Sequence, residues 1–367
     1  MTEHFKKDFS YRLYSIFSKN NLENLFRGIK TKLDYIIFEN NIYILTATED
    51  VIKANSYPVS MNTMIFDYSK DELIKISNQT LKSILFIFIN FFEYIFKISK
   101  IDTNVFLNNY IFSTNFFNKK WETLNINYLT NSIISKYNDK AIILRSVNEV
   151  QNPNLYKKLL KNGWVKLVSR QVYIFKNWEK ILEHHNTNMD LKLLSSTKYS
   201  FRELSGDNFE EFQIAENLYN KLYLDKYSKN NIQYTAKYLQ ELHLNKLIVL
   251  KLLINNENNT PVGVVGIIGE DGVITAPIVG YNTDLDKKEA LYRRIIIYII
   301  KYANDNNLLL NLSSGASDFK TRRGAEAQLE YMFVYTKHLS SGRKVFWKLL
   351  ALISEYIYGP LLVKLKL

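Results

Sequence analysis

LLLNLSSGASDFKTRRGAEAQLEYMFVY, residues 308–335, is the stretch on which the reading of the fold turns. Its first five residues form a short apolar run, the length of a buried strand rather than a helix. The run ends in Ser313, Ser314 and Gly315. A polar segment follows, 317–323, carrying Asp318, Lys320, Arg322 and Arg323, and Gly324 breaks it. Residues 328–335 are rich in aromatics and read as a second strand. A buried strand that stops at small hydroxyl residues and opens into a cationic turn makes a crevice at its carboxyl end, where open α/β sheets hold ligands. A plain strand–turn–strand with solvated Lys and Arg fits the same composition.

Working outward, Asp286 precedes a long helix at 287–304, and 273–281 is a strand with Pro277 inside it, which implies an edge or a bulge. Residues 247–254 and 262–268 pair as a hairpin. Phe209, Phe212, Leu218 and Leu222 recur near a 3.6 period and place a helix over 208–227, with Asp207 able to cap it. A second helix covers 234–245, and 199–204 is a strand. The mixed-polarity stretch 178–196, with His184, His185, Asn186 and Asn188, reads as a linker. Upstream of it, AIILRSV (141–147) and SRQVYIF (169–175) are strands around a helix at 154–161, which Pro153 opens and Asn162-Gly163 closes. NIYILTA (41–47) is a strand, 104–114 a strand pair or a strand and loop, and 128–136 a short amphipathic helix. Residues 71–100 read as one or two helices. Their apolar part, ILFIFINFFEYIF (84–96), is shorter than the ~20 residues of a bilayer span and is interrupted by Asn90 and Glu93, so a buried core helix is expected.

Composition narrows the classes of function. The 367 residues suffice for two domains, and 47% hydrophobic residues can form substantial cores. The net charge of +12 and pI of about 9.3 favour anionic partners, unless they reflect a basic proteome. There is no long Lys/Arg block of the kind that marks a nucleic-acid tail. With no cysteine, disulfides, Cys-ligated zinc and thiol catalysis are excluded, and the five His form no metal pattern, so no metal is expected. MTEHFKKDFS (1–10) lacks the apolar core of a secretory signal, and the expectation is a cytoplasmic protein. Asn108, Asn109 and Asn115 carry no signal in so Asn-rich a chain.

The words NLSSGASDFKTRRGAEAQLEY resemble the C-terminal segment of GNAT-superfamily acyltransferases of the FemAB-like and BioF2-like kind, through Ser313, Gly315, Ala316, Phe319, Lys320, Arg323, Gly324 and Ala325. The resemblance covers the C-terminal half best. It implies an α/β (α+β) fold of two GNAT-like units, each a mixed, mostly antiparallel sheet flanked by helices: a degenerate unit over 1–190 and an active one over 196–367. It also places Pro277 and Gly280 at the strand bulge where an acyl thioester's carbonyl docks. The family's glycine-rich phosphate loop is missing: Asp284 and Asp286 stand there instead, partly offset by Lys287, Lys288, Arg293 and Arg294. The implied donors are therefore acyl-CoA, an acyl carrier protein thioester, or an aminoacyl-tRNA, with an amine or hydroxyl acceptor attacking directly in a ternary complex.

On this reading Glu330 is the candidate general base, with Tyr281 or Tyr335 as proton donor. Ser313 and Ser314 donate to an acyl oxygen or cap the next helix. Lys320, Arg322 and Arg323 grip a phosphate or carboxylate. The short turn is expected to bring Arg323 back toward the crevice, where it faces solvent in the free protein if it is there to grip a ligand; the structural competitor pairs it with Glu326 or Glu330. Arg145 and Arg170, with Gln171, line a polar pocket between the two units or belong to an ordinary interdomain network. The basic, apolar segment 343–367 makes a peripheral membrane contact or packs on the body as a terminal helix. The alternative to an enzyme is a non-catalytic GNAT-shaped binding module: an open, polar crevice at Tyr281 and Ser313 would favour the enzyme, and one filled by side chains the module.

Overall fold

The computed structural model describes residues 8–49, 55–74 and 78–365. Its strands are β1 (Phe26–Arg27), β2 (Lys32–Phe38), β3 (Asn41–Thr48), β4 (Asn104–Leu107), β5 (Ala141–Val147), β6 (Val165–Phe175), β7 (Tyr199–Glu203), β8 (Gln233–Tyr234), β9 (Val249–Asn255), β10 (Thr260–Glu270), β11 (Val273–Tyr281), β12 (Leu309–Asn311) and β13 (Glu326–Tyr335). Eleven of these form one sheet in the order β2-β3-β4-β5-β13-β6-β12-β11-β10-β9-β7, while β1 and β8 pair separately. All neighbours in the large sheet are antiparallel except β4–β5 and β11–β12. The fold is thus mixed α/β around a mostly antiparallel sheet.

The expectation of one sheet per half is corrected by the centre of this sheet. β13 lies between β5 and β6, and β6 lies between β13 and β12. Each half has a parallel pair followed by an antiparallel strand lent by the other half. β5 is buried along its whole length, as a strand covered on both faces and hydrogen-bonded on both sides must be. The supposed linker is also structured. It forms the helices Trp178–Glu183 and His185–Leu194, the second packed against Leu291–Asp305 with Asp190 fully buried.

Helices cover both faces. Over β9–β11, Phe9–Lys19, Phe209–Asn220 and Ala236–Leu244 close one face, and Leu291–Asp305 closes the other. Over β3–β5, Ile126–Lys136 and Pro153–Lys161 cover one face, while Gln79–Ile98 and Ser341–Ile353 cover the face carrying Phe106 and Ile143. Gln79–Ile98 is not the core helix that its composition implied. Phe92 and Phe96 turn inward, but Ile84, Phe86, Ile87, Phe91, Tyr94 and Ile98 are exposed. Residues 75–77 of the helical stretch expected at 71–100, and Lys366 of the basic tail, lie outside the described residues.

Two local departures bear on the site. β11 is an inner strand, so Pro277 does not mark an edge; it sits in a bulge, where Ala276 and Pro277 face a single residue of β10 between the pairs Gly266–Ile278 and Ile268–Thr275. The long helix starts later than expected. Lys287–Glu289 is a 3₁₀ turn, Ala290 is left-handed at φ 54°, and the α-helix begins at Leu291.

Candidate active site

The exchange of β6 and β13 brings Arg170 and Glu330 into register as neighbours on adjacent strands. The Nε of Arg170 donates to Oε1 of Glu330 at 2.7 Å, and its Nη2 donates to the Ser113 carbonyl at 2.7 Å and the Thr114 hydroxyl at 2.9 Å. The other carboxylate oxygen of Glu330, Oε2, is buried and has no hydrogen-bond partner among the described residues. Nη1 of Arg170 likewise has no acceptor among them. The pair is not sealed: Glu330 keeps 2% of its side-chain surface, Arg170 keeps 17%.

Arg145 stands beside this pair on β5 and is buried. Its guanidinium donates to the Pro58 carbonyl, the Asn109 side chain, and the carbonyls of Phe112 and Ser113, at 3.1 to 3.3 Å. These four bonds hold the loop after β4 against the segment around Pro58. Burial, with Arg170 adding like charge, pushes the Arg145 guanidinium down to about 10, which leaves it cationic at neutral pH. Burial opposes charge on Arg170 too, but the Glu330 carboxylate prevails and holds it above its ordinary value. Tyr57 lies over Arg145, 5.8 Å from ring centre to guanidinium carbon. Burial raises its phenol against the pull of both Arg charges. A carboxylate with one unused oxygen therefore sits beside a guanidinium whose Nη1 is unused, next to a phenol. Such a set can take a proton from an attacking amine or hydroxyl and stabilise the negative charge that develops on a carbonyl oxygen.

Lys320 is a neighbour of this centre from the opening stretch. It is buried, and its ammonium donates to the carbonyls of Leu312, Ser313 and Ser314 at 2.7, 3.3 and 2.8 Å. Burial and the charge of Arg170 push it down to about 7. Its three acceptors make it a clamp on the turn rather than a free cation. Ser313 and Ser314 supply backbone oxygens to that clamp and do not cap the next helix, whose N-cap is left-handed Ala316. Ser313 is itself left-handed at φ 57°.

The other sequence candidates lie elsewhere. Arg323 is buried, not solvent-facing, and its partner is neither Glu326 nor Glu330. Its Nε donates to Asp190 at 2.7 Å, its Nη1 to the Phe319 carbonyl at 2.8 Å, and its guanidinium lies 3.5 Å from the Phe319 ring centre. Asp190 also receives Arg293, so both buried oxygens are taken. Arg322 is exposed. Tyr281 is half-buried, with its hydroxyl 3.3 Å from the Lys226 ammonium. Tyr335 lies five residues along β13 from Glu330, roughly 15 Å at strand spacing, stacked on His338 near Trp164. It cannot serve Glu330 as proton donor. Tyr57, Ser113 and Thr114 escaped sequence reading because nothing in a loop sequence announces which strand its carbonyls will meet.

The parting of β11 from β12 was the other expected crevice. Rings bridge it: Tyr281 to Tyr292 at 6.2 Å, and Tyr292 to Phe319 at 5.0 Å. A coenzyme A pyrophosphate needs free N–H groups at a helix start. Here Asp284, Asp286 and Glu289 precede the helix, and Glu289 is bound by Lys198 and Tyr199 at 2.9 and 2.6 Å. At Gly280 a Cβ would come within 2.4 Å of the Leu218 carbonyl oxygen, so the backbone of helix Phe209–Asn220 already fills that side. The residues present do not fit a pyrophosphate there. No group of three or more His, Asp or Glu among the described residues could hold a metal ion.

No protein-family model and no curated protein matches the chain. Solved structures that it is similar to include L-PGS from Bacillus licheniformis (14% identity over 62% of this chain and 76% of that one, TM-score 0.44) and FemX (9% identity, 62% and 79%, TM-score 0.44). A tandem GNAT protein from the clavulanic acid biosynthesis pathway is also similar (9% identity, 58% and 69%, TM-score 0.36). These likenesses are low in identity and in TM-score, and no residue's role rests on them.

Proposed function

We propose that the protein is an acyl- or aminoacyltransferase whose reaction centre is the Glu330–Arg170 pair. The observation that carries this reading is the unpartnered carboxylate oxygen of Glu330, buried beside a guanidinium whose Nη1 has no acceptor among the described residues. Buried polar atoms are almost always hydrogen-bonded, and an exception calls for an explanation, of which a catalytic role is one. The resemblance of residues 311–331 to GNAT-superfamily acyltransferases supports the same class. In this scheme Glu330 takes the proton from an amine or hydroxyl acceptor as it attacks the donor carbonyl, Arg170 orients the carboxylate, and the charge of Arg145 favours the oxyanion. The donor is better matched by an acyl carrier protein thioester or an aminoacyl-tRNA than by free acyl-CoA, because the turn before Leu291 is acidic and occupied.

A second reading has its own observation. The rings of Tyr281, Tyr292 and Phe319 fill the crossing that a GNAT-shaped enzyme would keep open, as a non-catalytic binding module would allow. The test is transfer itself. Each donor class is offered with amines and hydroxyls in turn, and products are read by mass spectrometry. Transfer that disappears in folded Glu330→Gln supports the first reading. Absence of transfer from all three donor classes leaves the module.

A further inference from the structure

Two neighbouring helices each carry a second apolar stripe. Inward, Phe92 and Phe96 of Gln79–Ile98 and Trp347 and Leu350 of Ser341–Ile353 join one core on the sheet, and the rings of Phe96 and Phe346 meet at 4.6 Å. Both helices therefore turn their outer faces to the same side of the molecule. On the first, Ile84, Ile87, Phe91, Tyr94 and Ile98 recur at helical spacing and are all exposed. On the second, Val345, Leu349, Leu352 and Tyr356 do the same, and the stripe continues to Leu361 and Val363 in Gly359–Leu365. Ile87 is 70% exposed and Tyr356 71%, so these side chains find little cover among the described residues. Contiguous exposed apolar surface of this kind marks an interaction site.

Charge selects the occupant. Lys97, Lys100, Lys348 and Lys364 stand exposed on or beside these helices. The two acids within them are already paired, Glu93 to Lys70 and Lys97, and Glu355 to Lys166. A second copy docking by two-fold symmetry would set this cationic rim against itself. An anionic lipid surface offers apolar depth and negative headgroups together. Ser341–Lys364 is long and apolar enough to cross a bilayer by length and composition. In this fold its Trp347, Leu350 and Ala351 are buried, and the Ser354 hydroxyl accepts from the Val168 N–H at 3.1 Å. That anchoring leaves the helix free to lie in the plane of a membrane without crossing it.

We infer that the paired outer faces of these two helices dock on an anionic lipid surface. The inference stands independently of the transferase reading. Its test is flotation of the whole protein with vesicles of phosphatidylcholine alone or with added phosphatidylglycerol. Wild type should float with the phosphatidylglycerol vesicles, and less in high salt. Ile87→Glu/Phe91→Glu and Leu349→Glu/Leu352→Glu change exposed side chains, so both should melt as wild type does, and each should abolish flotation. Lys348→Gln/Lys364→Gln should weaken it about tenfold to thirtyfold. Absence of flotation, or flotation unchanged in either Glu double variant, overturns the inference. So does a dimer in sedimentation that the same variants dissociate without any lipid binding, which would make a second copy the occupant.

Discussion

The two parallel crossings of this sheet answer one structural problem differently. Where β4 parts from β5, the gap is spanned by a loop that Arg145 and Arg170 hold by its carbonyls, and a buried carboxylate oxygen is left over. Where β11 parts from β12, aromatic rings bridge the gap, and the adjoining cation, Arg323, is tied to Asp190 and the Phe319 carbonyl. The sequence words closest to an acyltransferase begin at the second crossing, but their last residues, Glu330 and Tyr331, reach the first, where the unpartnered carboxylate oxygen lies. Resemblance locates a segment; whether its polar groups are free to react depends on what the rest of the chain brings to them.

The comparison is most directly tested at Glu330. Glu330→Gln keeps shape and removes the base, and should lower the transfer rate by about 10²- to 10⁴-fold, while Tyr281→Phe should leave it within about twofold. Steady-state rates on both variants decide the matter: the opposite ranking would move the reaction to the β11–β12 crossing.

Stability gives the next largest contrast. Arg170→Met strands the buried Glu330 charge and should cost about 3–5 kcal/mol in denaturant unfolding. Arg323→Met leaves Asp190 still paired with Arg293, so the loss should be about 1–3 kcal/mol, with turnover of the folded fraction intact. A loss of turnover without a loss of stability would restore Arg323 to a binding role.

A third carboxylate sharpens the contrast because no cation among the described residues holds it. Burial, followed by the charge of Asp8, pushes Glu270 up to about 7, although the Phe9 N–H reaches it at 3.4 Å. Its folded value lies above its unfolded one, so the folded state holds the extra proton between about pH 4.5 and 7. Stability from this group is therefore present at the acid end and lost as pH rises through that window. Glu270→Gln should raise stability by up to about 3 kcal/mol at pH 8 and by much less at pH 4.5. A benefit independent of pH would mean that the carboxylate is not the source.

The smallest expected signal is from free acetyl-CoA. With the turn before Leu291 acidic, calorimetry should show a Kd no tighter than ~0.1 mM, and sub-micromolar binding would reopen the second crossing to ordinary acetyl transfer.

Much of the secondary structure was legible because periodicity and punctuation are local. AIILRSV became β5 residue for residue, 273–281 became β11, and Pro153 opened its helix. What failed was non-local. An apolar strand such as β13 announces burial on both faces but not its partners, so nothing in 326–335 revealed that it would enter between β5 and β6. Arg323 reads as a free cation until a residue 133 positions away, Asp190, is folded against it. Glu330 and Arg170 were both singled out, in different halves and for different roles; only the strand exchange showed that they form a pair. The 84–96 run misled for another reason. It is apolar on more than one face, and hydrophobicity alone does not say that half of it stays uncovered.

The strand exchange also orders events in time. A chain emerging from the ribosome has β2 to β6 in hand by residue 175, but the slot between β5 and β6 is filled only when residues from 326 onward appear. At about 5–20 residues per second the gap lasts roughly 8–30 s. For that interval the nascent half carries two unpaired inner edges, buried in the finished molecule and open to any other extended segment before then. The same placement that builds the Arg170–Glu330 pair therefore gives the early half of the chain a prolonged need for chaperone cover during translation.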